Sequence, residues 1–276
     1  MKVLNLSRCN GLTRTPNFST FTDLEILILG MCPNLVEIDQ SIWKLKKLRV
    51  LDISTDVSCP ATAIAITKFP DAIGNLEMLE EINASHCFRL QEFPSSIGRL
   101  SSLRILRLDN TGICSLSTSI CELSLLETLD LYQCKQLQSL PKLPSSLMSL
   151  RVTCTSTSLQ TSICGLSSLQ TLDLYRCEQL QSLPELPPSL TSLRVTCTTM
   201  ETFPSLSNLI NLMELCFDNC VNLVEIPRDI GKLSILETLY LRGTKISTLP
   251  AEIGDLSLLK QVSNLNYMAA TIFNVS

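Results

Sequence analysis

The chain has 276 residues and a formal net charge of −4, from 22 Lys plus Arg against 26 Asp plus Glu. That balance excludes the basic excess of a nucleic-acid binder, and a composition 45% hydrophobic and 17% charged excludes wholesale disorder. No apolar run approaches the ~18 residues of a transmembrane helix, so the 52 leucines must be buried against one another.

Those leucines recur at a fixed period. The frame Leu-x-x-Leu-x-Leu-x-x-Cys/Thr fits Leu24, Leu27, Leu29 and Cys32, then Leu103, Leu106, Leu108 and Thr111, then Leu126, Leu129, Leu131 and Cys134. It returns at Leu169, Leu172, Leu174 and Cys177 and at Leu236, Leu239, Leu241 and Thr244. First anchors fall at positions 1, 24, 48, 79, 103, 126, 147, 169, 190, 212, 236 and 259, which gives eleven full units and the start of a twelfth. This is the leucine-rich repeat. Side chains alternate along each predicted strand, and one unit alone cannot cover its inward leucines. Stacked units bury them in a continuous core, at roughly 1.5–3 kcal/mol per leucine. The predicted fold is an α/β repeat solenoid over residues 1–276 as a single domain. It is a horseshoe with a parallel β-sheet on the concave face and short helical or extended segments on the convex face.

Along the chain, the first unit starts at Met1 with Val3, Leu4 and Leu6 already in frame. No cap precedes it, so its strand edge is expected to be open and the isolated chain to self-associate. The third unit is 31 residues long, with an insertion near 56–68. Such insertions form rim loops, either binding or functionless. Pro94 to Leu100, Pro227 to Leu233 and Pro250 to Leu256 each carry Pro-x-x-Ile-Gly-x-Leu. Proline starts a helical turn and the Ile/Leu spacing faces one side, so these predict short helical turns. Leu140-Pro141-Lys142-Leu143-Pro144 and residues 183–188 carry several prolines in little room and predict extended backbone. Residues 126–155 recur at 169–198 with 24 of 30 positions identical, a copied two-repeat block. After Leu259 and Val262 the frame breaks, and residues 264–273 read as an improvised cap.

Chemistry-bearing residues are sparse. Cys9, Cys32, Cys87, Cys134, Cys177 and Cys220 occupy one slot of the frame, alternating later with Thr111, Thr155, Thr198 and Thr244. They read as buried turn residues that bond the backbone only weakly. In the alternating region slot cysteines lie two repeats apart, about 10 Å by strand spacing, beyond disulfide reach. All thirteen cysteines are expected to be free. The start lacks the apolar core of a signal peptide, consistent with reduced thiols and a cytoplasmic or nuclear location. His86 is the sole histidine and adjoins Cys87. An inward Cys with no third orienting group makes a poor nucleophile pair. No phosphate loop is present. No catalytic, metal or cofactor residue is therefore assigned, and the chain is read as no enzyme. Asn5-Leu6-Ser7, Asn17-Phe18-Ser19, Asn83-Ala84-Ser85 and Asn274-Val275-Ser276 match the glycosylation sequon by coincidence on this reading.

The fifth position of successive strands reads Arg107, Asp130, Arg151, Asp173 and Arg194, with Tyr132 and Tyr175 two residues further on in their units. Alternating charges one strand apart attract, and Tyr and Arg dominate interface hot spots. These seven residues are the candidate partner-binding set. A self-neutralised ladder that only keeps the sheet soluble explains the same pattern.

The Cys/Thr slot, the LPSSIGRL and IPRDIGKL segments and LPELPPSLTSLRV together resemble the repeat domains of plant intracellular immune receptors of the TIR–nucleotide-binding–leucine-rich-repeat class. The LxGxIP signature of extracellular plant repeats is absent. The resemblance implies a sensing surface for a pathogen effector or a guarded host protein, and, in a full-length receptor, contact with an upstream nucleotide-binding domain. It implies no nucleic-acid or membrane partner and no cofactor. Neither the TIR nor the nucleotide-binding domain lies in this chain, so their activities do not carry over. The last two full repeats also resemble stand-alone scaffolds of the Ras-associated class. The LPELPPSL units resemble secreted bacterial effectors, whose spacing is more uniform.

Overall fold

A computed structural model describes residues 1–56, 64–153, 163, 165–178, 180 and 182–263. Most of the predicted insertion, at 57–63, and the tail 264–276 lie outside the described residues, as do Cys59, Cys154 and Cys164. The chain forms two compact units, Met1–Val152 and Thr153–Ser276. The first carries β1 (Val3–Asn5), β2 (Ile26–Ile28), β3 (Val50–Asp52), β4 (Glu81–Asn83), β5 (Ile105–Arg107), β6 (Thr128–Leu131) and β7 (Ser149–Val152). The second carries β8 (Thr171–Tyr175), β9 (Ser192–Thr196), β10 (Glu214–Cys216), β11 (Thr238–Tyr240) and β12 (Gln261–Ser263). Within each unit every strand pairs in parallel with the next in sequence, one repeat further on. The predicted repeats therefore stack as the frame requires.

The second repeat shows how a unit is filled. Leu24, Leu27, Leu29, Cys32, Leu35, Ile38, Ile42 and Leu45 are all buried. They point inward from the strand, the turn after it and the far side of the repeat. The equivalent leucines of the neighbouring repeats close over them, so burial depends on stacking.

The main-chain ladder runs past the strands. The residue before the slot takes left-handed backbone in most repeats: Arg8, Met31, His86, Asn110, Gln133, Arg176 and Asn219, with φ between 48° and 63°, and Gly243 at 74°. Such a turn costs a non-glycine residue about 1–2 kcal/mol. It lets the Asn110 N–H donate to Tyr132 O at 2.7 Å and the His86 N–H donate to Asp109 O at 2.8 Å, extending the ladder.

The slot follows that turn, and its side chains bond more firmly than expected. Thr111 Oγ1 donates to its own turn at Leu108 O (2.7 Å), and Thr244 Oγ1 to Leu241 O (2.9 Å). Cysteine reaches the preceding repeat: Cys32 Sγ to Leu6 O (3.1 Å), Cys87 to Ile53 O (3.2 Å), Cys134 to Leu108 O (3.0 Å) and Cys220 to Val195 O (3.5 Å). The unit of β9 departs from the frame. Strand β9 ends at Thr196, level with Tyr175 of β8, but the left-handed turn that follows β8 is missing, and Thr198 is exposed. Cys197 turns inward in its place, donating to Cys177 O at 2.9 Å and Leu180 O at 3.1 Å.

On the side opposite the strands, short 3-10 turns form at Gln40–Lys44, Asp71–Asn75, Ser95–Arg99, Thr118–Glu122, Arg228–Lys232 and Ala251–Asp255. Four follow a proline in extended backbone, three at the predicted Pro94, Pro227 and Pro250 and a fourth at Pro70. Asp39 and Ser117 instead accept from the N–H two residues on. Residues 138–144 and 183–187 have no helical turn, so the prolines act as expected. The glycine of the motif has a packing reason. A Cβ at Gly98 would lie 2.6 Å from Ser119 O of the next turn, whereas one at Gly254 would meet nothing within 4 Å.

Gly98→Ala is therefore expected to cost about 1–3 kcal/mol through overpacking against backbone, and Gly254→Ala to be neutral or slightly stabilising. Urea denaturation of the two variants measures the difference. Equal effects would contradict the stacking of these turns.

Candidate recognition surface

Residues two apart on a strand share a face, so each repeat presents three outward side chains in its strand and the residues just beyond. In the first unit Arg107, Asp130 and Arg151 stand at one frame position on β5, β6 and β7, in the registers Arg107↔Asp130 and Asp130↔Arg151. Tyr132 follows Asp130 on the same face. In the second unit Asp173 and Tyr175 lie on β8, and Arg194 opposes Asp173 from β9.

The charges pair differently from a single alternating ladder. Arg151 Nη1 lies 2.8 Å from Asp130 Oδ2, as expected. Arg107 instead pairs with Glu81, and Arg194 with Glu214. Both acids stand on the neighbouring strand two residues before the arginine's opposite number, on the same outward face. A guanidinium on a long, flexible stem takes the diagonal acid.

Asp130 and Arg151 form a compact cluster with Tyr132. The Arg151 guanidinium lies 4.7 Å from the centre of the Tyr132 ring, in range for a cation–π contact. The Tyr132 N–H donates to Asp130 Oδ1 at 3.0 Å. Asp130 is itself buried. Burial pushes its carboxyl above the ordinary range, aided by nearby Asp109, against the pull of the Tyr132 N–H and Arg151. In the second unit Tyr175 is covered by a different arginine, Arg176, at 5.4 Å. Position 176 is glutamine in the first copy of the duplicated block, as Gln133.

Several residues of this face escape a reading of one frame column. Glu81 and Glu214 are the partners of Arg107 and Arg194. His86 Nε2 lies 3.4 Å from Asp109 Oδ2, and Ser85 Oγ bonds both Asp109 (2.5 Å) and Asn83 (2.7 Å). The His86 Nδ1 atom is buried without a hydrogen-bond partner. At the entry of the strands a fuller alternation appears: Lys2–Glu25, Arg49–Glu80 and Arg104–Glu127 in the first unit, each at 2.8 Å. Lys260–Glu237 repeats it in the second, also at 2.8 Å. Reading every outward column, rather than the fifth alone, finds these pairs in the sequence.

Two other sequence features resolve into structure. The Asn of the first three Asn-x-Ser triplets accepts the N–H of its own Ser: Asn5 from Ser7 (2.9 Å), Asn17 from Ser19 (2.9 Å) and Asn83 from Ser85 (3.1 Å). Asp52 does the same for Ser54 at 2.8 Å. These are side-chain-capped turns. Cys87 is fully buried, bonds Ile53 O, and burial pushes its thiol far up, so its environment disfavours the thiolate a nucleophile needs. Among the described residues no group of three or more His, Cys, Asp or Glu is placed to hold a metal ion.

Known structures share this architecture. The chain superposes over 94% of its length on the crystal structure of a TDR receptor, with a TM-score of 0.55 and 22% identity, covering 50% of that chain. It superposes over 95% of its length on that of PEPR1–AtPEP1, with a TM-score of 0.53 and 21% identity, covering 44% of that chain. At such identity the likeness is one of fold. The chain has the leucine-rich-repeat fold. No protein-family model matches it. Its repeats are similar in sequence to plant disease-resistance proteins. They are 30% identical to TMV resistance protein N of Nicotiana glutinosa over 120 residues, 44% of this chain and 10% of that protein. They are 34% identical to disease resistance protein RML1A of Arabidopsis thaliana over 124 residues, 45% of this chain and 11% of that protein. These leucine-rich repeats thus span about a tenth of the length of the relatives they match. No helix among the described residues is long and apolar enough to cross a membrane.

The raised Asp130 carboxyl sets a pH dependence. A carboxyl with a raised folded-state pKa binds more protons in the folded chain than in the unfolded one. Its folded-state penalty is present at neutral pH and disappears as pH falls through the folded pKa toward the ordinary Asp range. Wild type is therefore expected to gain stability relative to Asp130→Asn between pH 7 and pH ~4. Urea denaturation at the two pH values measures this, and a loss would contradict it. Arg151→Ala is expected to destabilise by ~1–3 kcal/mol at neutral pH, because it leaves a buried carboxylate unpaired.

Proposed function

We propose that this chain is a non-enzymatic protein-recognition module, the sensing part of a plant disease-resistance receptor in defence signalling. The similarity to two resistance proteins at 30–34% identity carries this reading. The recognised partner is a protein, either a pathogen effector or a guarded host protein. In a full-length receptor the repeats also contact the nucleotide-binding domain. The location is cytoplasmic or nuclear.

The contact set is Arg107, Asp130, Tyr132 and Arg151 on the first unit and Asp173, Tyr175 and Arg194 on the second. Arginine and tyrosine on a rigid sheet face suit this role, since rigid, amphipathic side chains give contact area at low entropy cost. Their intramolecular pairing fixes their orientation before a partner arrives. The entry column of Lys–Glu and Arg–Glu pairs is self-neutralised and serves the sheet instead.

Binders selected from a displayed library of protein domains against the purified chain test this. The Tyr132→Ala/Tyr175→Ala double variant is expected to lose capture ~30-fold or more, the scale of a hot spot, with its thermal midpoint nearly unchanged. Arg104→Glu, in the entry column, is expected to keep capture. Retained capture in the tyrosine double variant, with a large fall in midpoint, would show that these side chains are structural.

A further inference from the structure

In the sequence frame the slot holds cysteine in two consecutive repeats at Cys9 and Cys32, one repeat apart rather than two. In the second unit the inward Cys197 also stands between Cys177 and Cys220, but all three are buried. Cys9 and Cys32 are both free thiols in this structure, Cys9 partly exposed and Cys32 buried.

The main chain pins the two turns side by side. The β1–β2 register pairs Val3 with Ile26. The same offset continues through the Arg8 N–H to Gly30 O bond (3.0 Å) before the pair and the Val36 N–H to Thr13 O bond (2.9 Å) after it. Cys9 therefore stands opposite Cys32, at a strand spacing of about 4.8 Å, inside the Cα separations that disulfides span. The residue before each cysteine has the same left-handed backbone, φ 61° at Arg8 and 57° at Met31.

An equivalent pair of consecutive slots reports how close the side chains come. Thr111 Oγ1 lies 3.3 Å from Cys134 Sγ. Its turns match those at Cys9 and Cys32, with φ 53° at Asn110 and 57° at Gln133. Cys134 Sγ donates to Leu108 O at 3.0 Å just as Cys32 Sγ donates to Leu6 O at 3.1 Å.

We propose that Cys9 and Cys32 form a redox pair that closes to a disulfide joining the first two repeats. The oxidant is a small disulfide of the glutathione class. The Cys9 thiolate attacks one of its sulfurs, a bond forms between them, and one glutathione thiolate leaves. The Cys32 thiolate then attacks the Cys9 sulfur, and the second glutathione leaves. Two protein thiols are oxidised by two electrons, one glutathione disulfide is reduced to two thiols, and the two protein protons end on the departing thiolates. The order follows from access, since Cys9 meets solvent and Cys32 does not. Burial also pushes the Cys32 thiol up, which makes it the resolving partner.

The full folded chain, titrated with glutathione at graded oxidised-to-reduced ratios, alkylated at acid pH and mapped by peptide mass spectrometry, tests this. The expected result is a Cys9–Cys32 linked peptide that forms before any other thiol is lost and is absent from Cys9→Ser. Thr111→Cys creates a second consecutive pair with Cys134 and is expected to gain a second link. A link at Thr111→Cys without one at Cys9 overturns the proposal. So does Cys9 held only as an unresolved glutathione adduct, or the failure of both links in a folded chain.

Discussion

The structure rests on a main-chain ladder between consecutive repeats, held in one register within each unit. Each strand pairs with the next at an offset of one repeat, and left-handed residues such as Asn110 and His86 carry the bonding beyond the strand into the turn. With register set by backbone, equal frame positions become spatial neighbours. Leucine packs on leucine, slot on slot, and charge on opposite charge. The Cys134 thiol reaches Leu108 O, and Arg104 meets Glu127, because the ladder has already placed them there. Side-chain energies are then increments on a framework whose cost, ~1–2 kcal/mol at each non-glycine left-handed turn, is offset by the bonds and burial those turns allow.

The candidate surface is wired by its neighbours as much as by its own residues. The two copies of the duplicated block carry the same Asp, Tyr and Arg at matching positions. In the first copy Arg151 binds Asp130 and lies over Tyr132. In the second, Arg194 is drawn to Glu214 of the following repeat, and Arg176 lies over Tyr175. Duplication thus multiplied residues without multiplying one site. A partner that engages these arginines competes with intramolecular acids, which trades affinity for selectivity.

Most of the fold was legible in the sequence, because it depends on periodicity and proline. The leucine frame located the strands, Pro-x-x-Ile-Gly located 3-10 turns, and the prolines of 140–144 removed one. The slot was legible as buried, but its bonding was not, since thiol bonds to Leu6 and Ile53 require the neighbouring repeat's carbonyl in place. The shift to Cys197 goes with the loss of the left-handed turn after β9, although β8 ends at the same frame position and keeps its turn at Arg176, a difference no pattern encodes. The candidate site was half legible. Arg107, Asp130 and Arg151 do stand in line, yet Arg107 and Arg194 each have two acids within reach, one directly opposite and one diagonal, and rotamers decide between them. The entry column of Lys2–Glu25, Arg49–Glu80 and Arg104–Glu127 was fully present in the sequence and needed only a different column to be read.

The ladder's passage through the left-handed turns is the claim on which this account depends, and amide hydrogen exchange measures it directly. The N–H groups of His86, Asn110 and Asn219 bond Asp109 O, Tyr132 O and Arg242 O. The account predicts that they exchange as slowly as the amides at the centres of β4, β5 and β10, although they sit in turns at the sheet margin. Exchange as fast as in ordinary loop residues would contradict it.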